Sequence, residues 1–72
     1  MSTLKGDVEK YPELMGPEDF ERLTGIDRKS QAVQRCNGRL GLRYFKLGAR
    51  VRYHRGDVLA WLEARAVAAG HA

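Results

Sequence analysis

The pattern of hydrophobic and polar positions predicts three helices and one pair of strands. Apolar residues recur three or four positions apart in segments 17–24, 28–37 and 58–68, which is the spacing of one helix face. Before the last of these segments, residues 43–55 alternate between apolar and polar side chains, as a half-buried β-hairpin does. The predicted fold class is therefore α+β, with three helices and a two-stranded β-hairpin.

Local residues also predict where the helices begin and end. Gly16-Pro17 starts the first helix, because proline loses no hydrogen bond in the first helical position. Gly25 supplies the left-handed residue that ends it. Asp27 is a favourable N-cap for the second helix, which Gly38 stops. The third helix is predicted to start at Gly56-Asp57 and to reach about residue 68.

Burial selects the register of the hairpin. A two-residue turn at Gly48-Ala49 would pair Phe45 with Arg52 and mix apolar and charged residues on both faces. A three-residue turn that includes Arg50 pairs Phe45 with Tyr53 and separates the two kinds of residue. We predict this second register, with Phe45, Leu47, Val51 and Tyr53 on an apolar face and Tyr44, Lys46, Arg52 and His54 on a basic face.

The second helix has an apolar and a polar side when residues are placed about 100° apart. Ala32, Val33 and Cys36 fall on the apolar side, which we predict to face the core. Glutamine and arginine can bond to adenine and guanine edges in the major groove, although an ordinary solvated helix has the same pattern. The residues predicted to contact the groove are Arg28, Ser30, Gln31, Gln34 and Arg35.

The core is predicted to lie between the helices and the hairpin, with Trp61 beneath the hairpin and its indole N–H bonded to a carbonyl. Residues 1–13 show no clear period and are predicted to form an acidic, flexible arm before a domain at 14–69 and a frayed tail at 70–72. The predicted core residues are Phe20, Leu23, Phe45, Leu47, Val51, Tyr53, Val58, Trp61 and Leu62.

The length of 72 residues indicates one domain, whose small core leaves no room for a deep catalytic cavity. The single cysteine, Cys36, excludes an internal disulfide framework and favours a reducing compartment. No apolar run approaches the ~20 residues of a membrane span. The first ten residues also lack the apolar segment of a signal peptide. We expect a cytoplasmic, nucleoid-associated protein without a membrane partner.

Charge is distributed unevenly along the chain. The net charge is +4, but residues 28–56 hold nine lysines and arginines and no acid. Residues 1–27 hold seven acids and three basic residues. A cationic block of this kind repels itself unless a polyanion neutralises it, so nucleic acid is the expected partner. The competing interpretation is a solvated basic surface without a partner.

No group of residues predicts catalysis or metal binding. The hairpin holds residue types found in tyrosine recombinases, but the chain is too short for that fold. Ser30 has no partnered base, and Cys36, His54 and His71 lack the spacing of a zinc site. We therefore expect no enzyme activity, no cofactor, no metal and no small-molecule ligand, with Cys36 as a small core residue.

Five short sequences carry a resemblance to a known family: PED at 17–19, LTGI at 23–26, YFKLG at 44–48, RVRY at 50–53 and DVLAWL at 57–62. The segment 15–65 that contains them resembles the small winged helix-turn-helix family related to the MerR DNA-binding domain. This family includes phage and integrative-element excisionases and AlpA-like regulators. The resemblance implies a winged helix-turn-helix fold, docking of the second helix in the major groove and contact of the hairpin tip with the minor groove.

The sequence therefore predicts a sequence-specific double-stranded DNA-binding protein. Because little is appended to the winged domain, we favour an excisionase that bends attachment-site DNA and assists an integrase. An AlpA-like transcription regulator is the first alternative, and a protein-binding adaptor with no DNA contact is the second. Copies bound side by side on DNA are expected to contact one another. In the hairpin, Arg50 is predicted to enter the minor groove, and Lys46, Arg52 and His54 to contact phosphates.

Overall fold

The computed structural model describes residues 4–66 as a small α+β domain. The described helices are α1 (Leu4–Glu9), α2 (Pro17–Thr24), α3 (Arg28–Cys36) and α4 (Arg55–Ala64). The described strands are β1 (Leu14–Met15), β2 (Phe45–Leu47) and β3 (Arg50–His54), and they form one antiparallel sheet in the order β1-β3-β2. The predicted fold class is confirmed as α+β, but the described part of the chain has one more helix and one more strand than predicted.

The ends of α2 and α3 follow the local prediction. Gly16 is the N-cap of α2, and its backbone N–H donates to the Asp19 carboxylate at 3.3 Å. Gly25 ends α2 with a φ of +81°. The Asp27 carboxylate accepts from the backbone N–H of Ser30 at 2.7 Å and so caps α3. These ends depend on neighbours in the chain, which explains why the sequence predicted them.

Helix α4 starts and ends earlier than predicted. It begins at Arg55 and ends at Ala64. The reason for the early start is a histidine cap, because the backbone N–H of Gly56 donates to Nδ1 of His54 at 3.0 Å. His54 therefore occupies the N-cap position that the sequence had assigned to the Gly56-Asp57 pair.

The N-terminal segment differs from the flexible arm that the sequence predicted. Over the described residues it forms α1, which packs against α4 and buries Val8 to 1% exposure. Arg55 donates to the backbone oxygen of Tyr11 at 2.8 Å and to that of Glu9 at 3.3 Å. These contacts hold the segment on the domain. The predicted tail at 70–72 lies outside the described residues.

The core is centred on Phe20, which is fully buried between two other aromatic rings. Its ring lies 4.9 Å from that of Tyr53 and 5.4 Å from that of Trp61, between centroids. The indole N–H of Trp61 donates to the Leu40 oxygen at 2.7 Å, which confirms its predicted bond to a carbonyl. Met15, Phe20, Leu40, Leu42, Tyr53 and Val58 form the buried cluster, with Leu23, Val51, Trp61 and Leu62 packed against it.

Two residues of the predicted core lie outside the buried cluster and the residues packed against it. Leu47 is 54% exposed, and Phe45 is only half-buried. Leu40 and Leu42, which were not predicted as core residues, are buried in the cluster. They lie between α3 and β2, outside any periodic segment, so no pattern in the sequence marked them as buried.

The hairpin adopts the register that the sequence analysis rejected. Phe45 pairs with Arg52 across a two-residue turn, Gly48-Ala49. Gly48 has a φ of +65°, as the first central residue of a type II′ turn requires. The predicted separation into an apolar and a basic face is therefore wrong. Met15 on the added strand β1 pairs with Tyr53 on β3, and both side chains are fully buried.

Among the described residues, no helix combines the length and the apolar character needed to cross a membrane.

Candidate nucleic-acid interface

The inner side of α3 is held by a buried glutamine. Gln31 has 0% exposure, and its Nε2 amide donates to the backbone oxygens of Pro17 and Ile26, each at 2.9 Å. Its Oε1 atom accepts from the Tyr53 hydroxyl at 2.9 Å. Gln31 thus joins α3 to α2, to the turn before α3 and to β3. The prediction that Gln31 contacts a DNA groove is wrong, because the side chain does not reach the surface.

Arg35 lies one turn after Gln31 on the same inner side. Its Nη1 donates to the Tyr53 hydroxyl, and its guanidinium lies over the Tyr44 and Tyr53 rings at 5.7 and 5.9 Å from their centroids. Burial raises the pKa of the Tyr53 hydroxyl, and the Arg35 contact only partly offsets this. The neutral hydroxyl can then donate to Gln31 while it accepts from Arg35. Arg35 therefore faces the sheet, not the side that the sequence pattern assigned to the groove.

The outer face of α3 consists of exposed residues, several of which were predicted to be buried. Val33 is 56% exposed, and Ala32 and Cys36 are exposed as well. Their predicted core positions are wrong, since the polar residues on the opposite side found hydrogen-bond partners inside the domain. The outer face of α3 is defined as Lys29, Ser30, Ala32, Val33 and Cys36, with the half-buried Gln34 at its edge.

A shallow depression of about 300 Å³ lies on this outer face. It is lined by Lys29, Ser30, Val33 and Gln34. Ser30 and Gln34 were both predicted to face a groove, and the structure leaves Ser30 exposed and Gln34 half-buried. The depression therefore combines a cation, two hydrogen-bonding side chains and an aliphatic side chain on one helix surface.

The basic block at 28–56 divides into engaged and free cations. Within residues 4–66, no carboxylate lies within salt-bridge distance of four exposed cations. These four are Lys29 on α3, Arg39 after it, and Lys46 and Arg50 on the hairpin. Lys46 and Arg50 were predicted from the sequence as DNA contacts, whereas Lys29 and Arg39 were not. The four-residue spacing from Lys29 to Val33 places both on one helix face, but no pattern in the sequence showed that this face is exposed.

The other cations of the block have partners inside the domain. Arg28, predicted to contact the groove, lies 3.9 Å from Glu18 and 3.8 Å from Glu21, atom to atom. Arg43 contacts Asp57 at 3.0 Å. Arg52 is half-buried and donates to the backbone oxygen of Val51 at 2.7 Å. These side chains are less available to a polyanion than the four free ones.

His54 also has contacts with other residues of the domain. Its Nδ1 accepts from the backbone N–H of Gly56, and its Nε2 lies 3.5 Å from a carboxylate oxygen of Glu13. Because Nδ1 acts as an acceptor, the proton of the neutral ring lies on Nε2, toward Glu13. The contacts assign His54 to the junction of β3 and α4, whereas the sequence pattern had placed it on a free basic face.

The described residues contain no group of three or more histidines, cysteines or acids that could hold a metal ion. No family model, no curated protein and no solved structure matches the chain. The outer face of α3 and the four free cations form the candidate interface.

Proposed function

We propose that this protein binds double-stranded DNA in a sequence-specific manner, as a winged helix-turn-helix protein. In this proposal α3 lies in the major groove, which is wide enough for a helix. The tip of the hairpin, with Arg50, contacts the minor groove or the adjacent backbone. The observation that carries the proposal is the set of four free cations on α3, after α3 and on the hairpin, with no acid between positions 28 and 56.

The buried contacts of α3 support the same proposal. Gln31 and Arg35 fix the inner side of the helix on α2 and β3, so its orientation is set before any partner binds. A recognition helix that is held in this way loses less conformational freedom on binding than a mobile one. The aliphatic residue of the outer face, Val33, then lies outside the described core, so this face is open to a partner.

Within this class we favour an excisionase that bends attachment-site DNA and assists an integrase, with an AlpA-like transcription regulator as the alternative. Both belong to the family that segments 44–48, 50–53 and 57–62 resemble. Gel mobility of duplexes with the binding site at different positions would measure bending. A supershift with an integrase would support the excisionase, whereas binding to a promoter without bending would support the regulator.

A salt titration tests DNA binding itself. Neutralising one phosphate contributes about −0.9 to the slope of log affinity against log salt concentration, so four free cations predict a slope of about −3 to −4. Fluorescence anisotropy of a labelled duplex at several salt concentrations would measure it. A duplex that does not bind even at low salt would favour the adaptor alternative.

Two matched double variants sharpen this experiment. Replacing Lys29 and Arg50 by glutamine removes two free cations, and we expect the magnitude of the slope to fall by about two. Replacing Arg28 and Arg43 by glutamine removes the same charge from side chains already paired with carboxylates. The second variant should change the slope less. Equal changes in both variants would mean that net charge, not this surface, determines binding.

A further inference from the structure

We propose that the outer face of α3 reads a thymine, with the side chain of Val33 packed on the C5 methyl group of that base. The inference rests on the proposed DNA-binding function and specifies which base the helix recognises. It starts from the exposure of Val33, which at 56% is greater than that of the other large hydrophobic residues exposed in the described part of the chain, Leu14, Tyr44 and Leu47.

The Val33 side chain lies outside the core of the described residues. Val33 does not belong to the buried cluster or to the residues packed against it. It lies on the side of α3 opposite Gln31 and Arg35, which anchor the helix. A β-branched residue also lowers helix propensity slightly. The position of Val33 at the middle of the outer face therefore leaves its side chain available for contact with a partner.

The chemistry of this face matches a thymine edge. In the major groove, thymine presents a methyl group and one acceptor, and the methyl group is contacted by apolar side chains. Val33 offers two methyl groups for this contact. Ser30 and Gln34, which line the same depression, can bond to the edges of neighbouring bases. Lys29, also in that depression, carries a free charge that can reach a phosphate.

The size of the neighbouring residues allows the close approach that a short side chain needs. A valine reaches a base edge only if the helix backbone lies deep in the groove. Ser30, Ala32 and Cys36 are small, and all three are exposed beside Val33. Larger side chains at these positions would hold the helix away from the bases.

The charges favour DNA over an apolar protein surface as the occupant. Helix α3 carries no acid, and Lys29 lies one turn before Val33. Arg39, Lys46 and Arg50 supply further exposed positive charge on the adjoining segments. An apolar protein partner would leave these cations without compensation, whereas the phosphates on both sides of a major groove neutralise them.

Removing single methyl groups from the DNA tests this inference. A duplex would first be selected from a random pool by the wild-type protein, and each thymine would then be replaced in turn by deoxyuridine. At one or two thymines we expect the replacement to lower affinity about fourfold, the value that corresponds to burial of one methyl group. The Val33→Ala variant should bind the thymine and deoxyuridine duplexes equally.

Leu47→Ala is the matched control, because Leu47 is 54% exposed but lies on the hairpin. This variant should retain the fourfold difference. If the selection recovers no preferred duplex and binding is absent, the proposed function and this inference both fail. If binding is specific but no thymine matters, or if the difference persists in Val33→Ala, only the inference is overturned. Loss of self-association in Val33→Ala, with DNA binding unchanged, would also overturn it and assign the face to protein contact.

Discussion

Helices α2 and α3 follow each other in the chain, yet they bury opposite kinds of side chain. Helix α2 buries Phe20 and exposes Glu18, as expected for a helix on the surface of a small core. Helix α3 buries Gln31 and leaves Val33 56% exposed. The difference shows that α2 is held by apolar packing, whereas α3 is held by directed hydrogen bonds and does not need its aliphatic residues for folding.

The same two helices also differ in charge. Helix α2 carries three acids, Glu18, Asp19 and Glu21. Helix α3 carries three basic residues and no acid. A polyanion is therefore repelled by α2 and attracted by α3, so the comparison indicates which helix a nucleic acid would approach.

The largest effect on stability is expected for Phe20, the buried residue of α2. Phe20 is fully buried, so Phe20→Ala should lower the free energy of unfolding by about 3–5 kcal/mol, through lost transfer energy and a cavity. Denaturant unfolding would measure the loss. Phe45→Ala removes the same atoms from a half-buried position and should cost less. Equal losses would contradict the placement of the core at α2.

The second largest effect on stability is expected for Gln31, which holds the inner side of α3 in place. Gln31→Leu keeps much of the side-chain volume but leaves two backbone oxygens and the Tyr53 hydroxyl without their partner. We expect the free energy of unfolding to fall by about 2–4 kcal/mol. Gln34→Leu, at a half-buried position, should have a much smaller effect. A stable Gln31→Leu protein that has lost only DNA binding would support the original assignment of Gln31 to the groove.

A smaller loss is expected for Arg35, which contributes to the inner side of α3 from a half-buried position. Arg35→Ala should lower the free energy of unfolding by about 1–2 kcal/mol, because it removes a charge-assisted hydrogen bond that solvent partly screens. It should leave the preferred DNA sequence unchanged. Selection of duplexes with the variant protein would check this. A shifted preference at one base pair would place Arg35 in the groove after all.

The smallest effect concerns the cap of α3 and depends on pH. Hydrogen bonding to Ser30 holds the pKa of Asp27 below its ordinary value. The carboxylate therefore stabilises the fold above the ordinary carboxyl pKa of about 4. This contribution is lost as the pH falls through the lowered pKa.

Asp27→Asn provides the test, because asparagine also caps helices but does not ionise. Thermal unfolding from neutral to acidic pH should show the two proteins converging as the pH falls and the wild type loses its extra contribution. Parallel declines would show that Asp27 does not contribute to the pH dependence.

The sequence predicted what depends on neighbours in the chain. Gly25 ends α2 and Asp27 caps α3, as the local residues indicated. The bond of the Trp61 N–H to a carbonyl was also expected, since a largely buried indole requires an acceptor. In each case the type of residue or its immediate neighbours determine the outcome.

The sequence did not predict which side of α3 faces inward. That choice depends on Gln31 meeting Pro17 and Tyr53, which are 14 and 22 positions away. A polar residue satisfied by distant partners has the same periodicity as one that faces water. The assignment of Gln31 to the groove was therefore reversed, together with that of Val33 to the core.

The hairpin register was missed for a related reason. The predicted register assumed that the hairpin by itself forms the apolar face of the sheet. In the structure, β1 places Met15 opposite Tyr53. Leu40 and Leu42 add further apolar area from a segment without period. Once these residues fill the core, Leu47 can be exposed, and the shorter turn at Gly48-Ala49 becomes compatible with burial.

Mapping of amide chemical shifts during a DNA titration tests the central claim most directly. With nitrogen-15-labelled protein and a duplex added in steps, we expect the amide signals of Lys29, Ser30 and Val33 on α3 and of Gly48–Arg50 on the hairpin to shift. The signals of Glu18–Glu21 on α2 should stay in place. Shifts concentrated on α2, or an α3 that does not respond while the duplex binds, would contradict the proposal that the outer face of α3 is the DNA-binding surface.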